Sequence, residues 1–156
     1  MVLHGHGRRS RQVRGPATAS GPPELRLSWV RRYLCTRCGA TPTVTPTEVM
    51  AKRLFSAPAI ALALALFGVA ALPAHEVRAR ISPWAAVGTT AAASWVTLRR
   101  WVRAVRAGLF AVRPMPLTWT ARQVAQRAAT TVAARAPVGP GAADVVASAF
   151  VGALSG

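Results

Sequence analysis

Acidic side chains are what this sequence has least of. Its 156 residues carry four, Glu24, Glu48, Glu76 and Asp144, against 20 lysines and arginines, for a formal charge of +16. The four are scattered, so an acid-pair hydrolase or a nuclease that holds metal on several carboxylates has little to work with. Histidine is confined to His4, His6 and His75. No serine stands in a nucleophile-elbow setting, and there is no Gly-rich phosphate loop. Motif content therefore argues against an enzyme. Only two cysteines occur, which indicates no disulfide framework and fits a reducing cytoplasm. The N-terminus is polar and basic without the apolar stretch of a secretory signal, and no internal repeat or heptad run is present.

What remains is an excess of positive charge. All the basic residues but Lys52 are arginines. Codon bias explains arginine over lysine better than it explains the shortage of acids. Such a chain repels itself when compact and seeks a polyanion, nucleic acid first and an anionic membrane surface second.

The two cysteines stand in Arg31-Arg32-Tyr33-Leu34-Cys35-Thr36-Arg37-Cys38-Gly39. Cysteines three positions apart on a tight turn can aim both sulfurs at one ion, and the glycine after them lets backbone amides turn toward the thiolates. A strand-like approach and a Thr-rich exit at Thr41, Thr43 and Thr45 make this half of a zinc ribbon. Structural zinc takes four ligands, and Cys35 and Cys38 supply two. His4 and His6 could complete the set, or be polar residues of a frayed terminus. A dithiol redox pair and an unligated remnant are the competing readings of the motif.

In chain order, residues 1–24 read as a basic, Pro/Gly-rich flexible segment with a short alternating piece from Arg11 to Arg14. Residues 25–46 read as the partial zinc-ribbon-like β segment. Leu25, Leu27, Trp29 and Tyr33 alternate with Arg26, Ser28 and Arg32, and Thr43-Val44-Thr45 is the return partner.

Leu54 to Leu72 is 19 residues without charge. As a helix it would extend roughly 28 Å, near the thickness of a bilayer core. Its alanine content, Pro58 and the lack of flanking Trp or Tyr favour a buried central helix over a membrane span, which stays as the alternative. Pro73 ends it. Ala74 to Ile81 is a short amphipathic piece with Val77 and Ile81 inward. A second long helix is expected from a cap at Thr90 to a stop at Gly108. Its apolar stripe runs through Trp95, Leu98, Trp101, Val102 and Val105, and Arg99, Arg100, Arg103 and Arg106 project from the rest. Four arginines with no acid nearby form a surface for phosphates and guanine edges. A solvated face and an interfacial membrane helix are the alternatives. Residues 47–113 thus read as a helix-turn-helix-like domain. Residues 117–137 add a helix with a capping box at Thr120 to Gln123, and 138–156 form a flexible or weakly helical tail.

The order of parts resembles the N-terminal region of transposase-like and integrase-like proteins, in which a zinc ribbon precedes a helix-turn-helix. The residues that carry it are His4-Gly5-His6-Gly7-Arg8-Arg9, Arg32 to Gly39, Lys52-Arg53-Leu54-Phe55-Ser56 and Leu98-Arg99-Arg100-Trp101. That family has an earlier Cys-x-x-Cys upstream, so the resemblance implies either a copy truncated at the N-terminus or a true start upstream of Met1. It also implies recognition of DNA at mobile-element ends, with catalytic carboxylates on another domain. The expectation is a mainly α fold, a small zinc-ribbon-like β piece followed by a helical body, that binds DNA through Arg99, Arg100, Arg103 and Arg106 and has no catalytic centre. The rivals are a small membrane protein spanning at 54–72 and a non-functional fragment of a decayed mobile element.

Overall fold

The computed structural model describes residues 2–50, 52–89, 94–138 and 144–155. Its first third is a long antiparallel hairpin. Strand β1 (Leu3–Gly15) pairs with β2 (Glu24–Cys35), in a register that runs from Leu3 opposite Cys35 to Gly15 opposite Glu24, with a shift between Gly5 and Arg8. A two-residue β3 (Thr43–Val44) adds to the far edge of β2, opposite Arg31 and Arg32. β2 and its return partner are thus where the alternation places them.

The segment read as flexible is β1. The ladder to β2 satisfies its backbone donors and acceptors whatever its side chains are. Over Leu3 to Ser10 every residue is exposed, so no apolar alternation betrays the strand. The connection between strands is the Pro/Gly-rich stretch, with Gly21 N–H donating to Thr18 O at 3.1 Å.

Five helices follow among the described residues: α1 (Ala57–Gly68), α2 (Ala74–Ile81), α3 (Val96–Arg106), α4 (Ala121–Ala133) and α5 (Val145–Gly152). Roughly 39% of the described residues are helical and 19% strand, so the expected mainly α fold is corrected to a small α/β fold. The expected helix-turn-helix body includes residues 90–93, which lie outside the described residues. The expected cap at Thr90 lies outside the described residues, and α3 begins at Val96.

α1 is the centre of the body. Ser56 starts it, its Oγ accepting from Ala59 N at 3.2 Å, with Pro58 in the first turn where a missing N–H costs nothing. Every residue from Ala57 to Leu66 is buried. Burial of Ile60, Leu62, Leu64 and Leu66 stabilises the fold by about 1.5–3 kcal/mol each. The partners are Val77 and Ile81 of α2, Leu98, Trp101, Val102 and Val105 of α3, and Val124, Ala125 and Ala128 of α4.

α1 stops at Gly68 although its apolar run continues to Leu72. Ala71 turns left-handed (φ 56°), and the Arg122 guanidinium caps the helix end by donating to Phe67 O at 2.7 Å and Leu72 O at 3.4 Å. At 12 residues α1 is about 18 Å long, well short of a bilayer core. No helix among the described residues is long and apolar enough to cross a membrane.

Three small-residue contacts set how the pieces meet. A Cβ on Gly15 would strike the Ala59 Cβ, so the end of β1 lies against α1. A Cβ on Gly68 would come within 2.7 Å of the Ala125 carbonyl carbon and still nearer Gln126 N, so α1 touches the backbone of α4. A Cβ on Gly152 would strike Val132 O, so α5 meets α4 in the same way.

Candidate functional site

Among the described residues, the hairpin is fastened to the helical body at the end that holds Arg11 and Arg14. Arg14 N–H donates to Leu54 O at 2.8 Å, and Ser56 N–H donates to Arg14 O at 3.1 Å. The Arg11 guanidinium adds two bonds, to Met50 O at 2.8 Å and Arg53 O at 2.9 Å. Between the hairpin and the 41–54 stretch lies an open groove of about 880 Å³. Its wall carries five cations, Arg9, Arg11, Arg32, Lys52 and Arg53, together with Thr41, Thr43 and Thr45.

No acid is on that wall, and the four acids are accounted for elsewhere. Glu24 and Glu48 both pair with Arg26, at 3.0 and 3.6 Å, Glu76 lies beside His75, and Asp144 caps α5 by accepting from Val146 N. Arg11 is committed to two carbonyls and shapes the groove. Arg9 and Lys52 are exposed, and Arg32 and Arg53 are half-buried. Lys52 sits at φ 59°, a left-handed backbone that costs a lysine about 1–2 kcal/mol. Cations lining one groove with no acid on the same wall favour an anion carrying several negative charges, and the threonine hydroxyls add donors.

Helix α3 adjoins this region. Phe55, two residues beyond Arg53, packs edge-on against Trp95 and Trp101, with ring centroids 6.0 and 5.0 Å away. Of the arginines expected to contact DNA, Arg99, Arg100 and Arg103 are exposed. Arg106 is turned back, donating to Pro116 O at 3.1 Å and to Trp119 O. The structure thus leaves three of the four on an open helix face. It adds a groove that sequence reasoning missed, because its cations come from three stretches that only the fold brings together. The one available signal is the alternation at Arg9, Arg11 and Val13, which overlaps the short alternating piece from Arg11 to Arg14.

The cysteine turn is closed by Cys35 N–H to Ala40 O (2.8 Å) and Gly39 N–H to Cys35 O (2.9 Å), with Gly39 left-handed at φ 70°. Cys35 is buried and Cys38 exposed, and both are free thiols. The Cys35 pKa is lowered from the ordinary thiol value. The main cause is a hydrogen bond from the Cys38 amide, followed by one from the Arg37 amide and one from the Cys38 side chain, with burial opposing.

His4 does not join this turn. It stands opposite Leu34 while Leu3 stands opposite Cys35, which puts His4 and Cys35 on opposite faces of the hairpin, and His6 falls within the register shift. Among the described residues no group of three or more His, Cys, Asp or Glu is placed to hold a metal ion. Two thiols are half of the tetrahedral set that structural zinc takes.

A Cys38→Ala chain has Cys35 as its sole thiol. Its thiolate absorbance should rise with a midpoint below that of a free cysteine titrated alongside, because the two amide donors remain. Since the folded value is the lower one, the associated stability is present above the unfolded thiol pKa and is lost as pH falls through the folded one. A midpoint at or above the free thiol would contradict the amide geometry.

Comparison with known protein families, curated proteins and solved structures returns no match to this chain.

Proposed function

We propose that the protein binds nucleic acid through its cationic groove, with phosphates seated against Arg9, Arg32, Lys52 and Arg53, and with Arg99, Arg100 and Arg103 of α3 extending the positive surface. The observation that carries this reading is the groove wall, which collects cations from three separate stretches and no acid. A surface selected only for solubility would intersperse the two signs. Here no acid lines the groove wall, and Glu24 and Glu48 are already paired with Arg26, so a bound polyanion supplies the missing counter-charge. The narrower setting, DNA recognition in a transposase-like context, rests on the order of motifs in the sequence alone.

The test is the salt dependence of binding to a fluorescent duplex DNA of about 20 base pairs. Four groove contacts predict that log K falls linearly with log salt with a slope of about −3.6 or steeper. Binding that is absent at low salt, or unchanged between 50 and 200 mM, sinks the proposal, salt levels over which this term acts strongly. Stronger association with anionic phospholipid vesicles than with DNA would move the function to a membrane surface.

A further inference from the structure

The hairpin has a second face, and it is unlike the first. Directly opposed residues share a face, so Leu25, Leu27, Trp29 and Arg31 of β2 lie on one side with Arg14, Gln12, Ser10 and Arg8 of β1. The opposite side holds Arg9, Arg11, Val30 and Arg32, which form the groove. On the first side nothing among the described residues covers the apolar row. Leu25, Leu27 and Trp29 are 46%, 66% and 65% exposed, whereas Val30, next in sequence, is buried on the groove side. Leu117 and Val138 are also exposed, but each stands alone in a loop, whereas these three follow one another at every second position of one strand. Contiguity of this kind marks a binding surface, where single exposed apolar residues do not.

The charges around the row identify the occupant. Arg8 is directly opposite Arg31, a like-charge pair that a cross-strand position normally avoids and that an anion would neutralise. At the other end the Arg14 guanidinium lies 4.0 Å over the ring of Trp84, itself 44% exposed. Glu24, the acid at the base of the hairpin, pairs with Arg26, which points to the groove side.

The face therefore offers an exposed indole, a flat aliphatic row and guanidinium groups at both ends. From Trp29 to Leu25 it runs about 14 Å at strand rise, room for more than one stacked base. An apolar protein partner would have to desolvate the opposed arginines. A duplex hides its base faces. An unpaired strand presents bases to the ring and phosphates to the arginines.

Resting on the nucleic-acid reading above, we propose that the Trp29 face of the hairpin is a stacking platform for single-stranded nucleic acid, with Arg8 and Arg31 taking its phosphates. The edge of β1 from Leu3 to Val13, which no other strand pairs among the described residues, separates this platform from the groove, so one strand can pass from the cationic side to the stacking side.

The experiment compares the full chain with Trp29→Ala and Trp29→Phe on a fluorescent oligo-dT and on a duplex of equal length at one salt concentration. Trp29 is exposed, so all three proteins should share one thermal transition. Trp29→Ala should weaken oligo-dT binding by about tenfold or more, Trp29→Phe should recover most of it, and duplex affinity should stay within about twofold. Equal oligo-dT binding by wild type and Trp29→Ala overturns the platform, while salt-dependent duplex binding in the same experiment keeps the groove reading. If Trp29→Ala instead weakens binding to phosphatidylserine vesicles and not to oligo-dT, the face is a lipid contact and the proposal falls. Failure of the wild-type chain to bind either nucleic acid overturns both readings together.

Discussion

Gly68→Ala should destabilise the protein by about 2–3 kcal/mol or more, although alanine is the better helix former. Propensity alone predicts a gain of about 1 kcal/mol for glycine to alanine inside a helix. Packing predicts the opposite, because the new Cβ would meet main-chain atoms of α4 at Gln126 and Ala125. Main chain cannot rotate away as a side chain can, so α1 and α4 must separate. That loosens Ala125 and Ala128 against the Ile60 and Leu64 cluster, and overpacking of this kind costs about 1–3 kcal/mol, occasionally more. Gly152→Ala should behave alike, since its Cβ would strike Val132 O. Gly5→Ala is the control. No heavy atom lies within 4 Å of its Cβ position, and its change should stay within about 0.5 kcal/mol. Guanidinium unfolding midpoints measure all three, and a Gly68→Ala protein as stable as wild type would show that the two helices do not touch at this crossing.

The helical part of this architecture was legible wherever a local rule decides the structure. Thr120 and Gln123 form the expected capping box, with Gln123 N donating to Thr120 Oγ1 at 3.3 Å and Thr120 N donating to Gln123 Oε1 at 2.8 Å. Gly108 follows α3 at φ 100°, and Val77 and Ile81 are the buried side of α2. The length of α1 was not legible. Residues 69–72 continue the same apolar composition, and what ends the helix is the guanidinium of Arg122, about fifty residues away in sequence.

The sheet shows the other limit. Alternation located β2, but Leu25, Leu27 and Trp29 of its apolar set are exposed, whereas Val30, among the charged positions, is buried. Period-two patterning reports a strand; which face is covered depends on where the body sits. β1 had no apolar alternation to report from Leu3 to Ser10, because every residue there is exposed. The fold class was misjudged for that reason: a strand without a core face reads as loop until its partner is known. The groove was invisible for a related reason, since Arg9, Arg32 and Lys52 become neighbours only through the hairpin register and the return of the chain past β3.

Replacing Arg9, Arg32, Lys52 and Arg53 together by glutamine should abolish most of the salt-sensitive affinity for DNA. Each phosphate contact contributes about 0.9 to the slope of log K against log salt, so losing four removes about 3.6. Over a fourfold rise in salt that slope corresponds to about 150-fold in affinity, and the variant should lack that dependence. Its fold should survive, because the hairpin is held by main-chain bonds at Arg14 and by the Arg11 guanidinium, none of which is altered, and Arg11 reaches the carbonyl of residue 53 rather than its side chain. Arg106→Gln separates charge from position. Its guanidinium holds the carbonyls of Pro116 and Trp119, so its loss should lower the unfolding midpoint while leaving the salt slope nearly intact. A combined Arg99, Arg100 and Arg103 variant that removes more slope than the groove variant would place the main contact on the helix face. A groove variant with the full wild-type slope would show that the phosphates lie elsewhere, since counterion release depends on where the charges meet them and not on net charge alone.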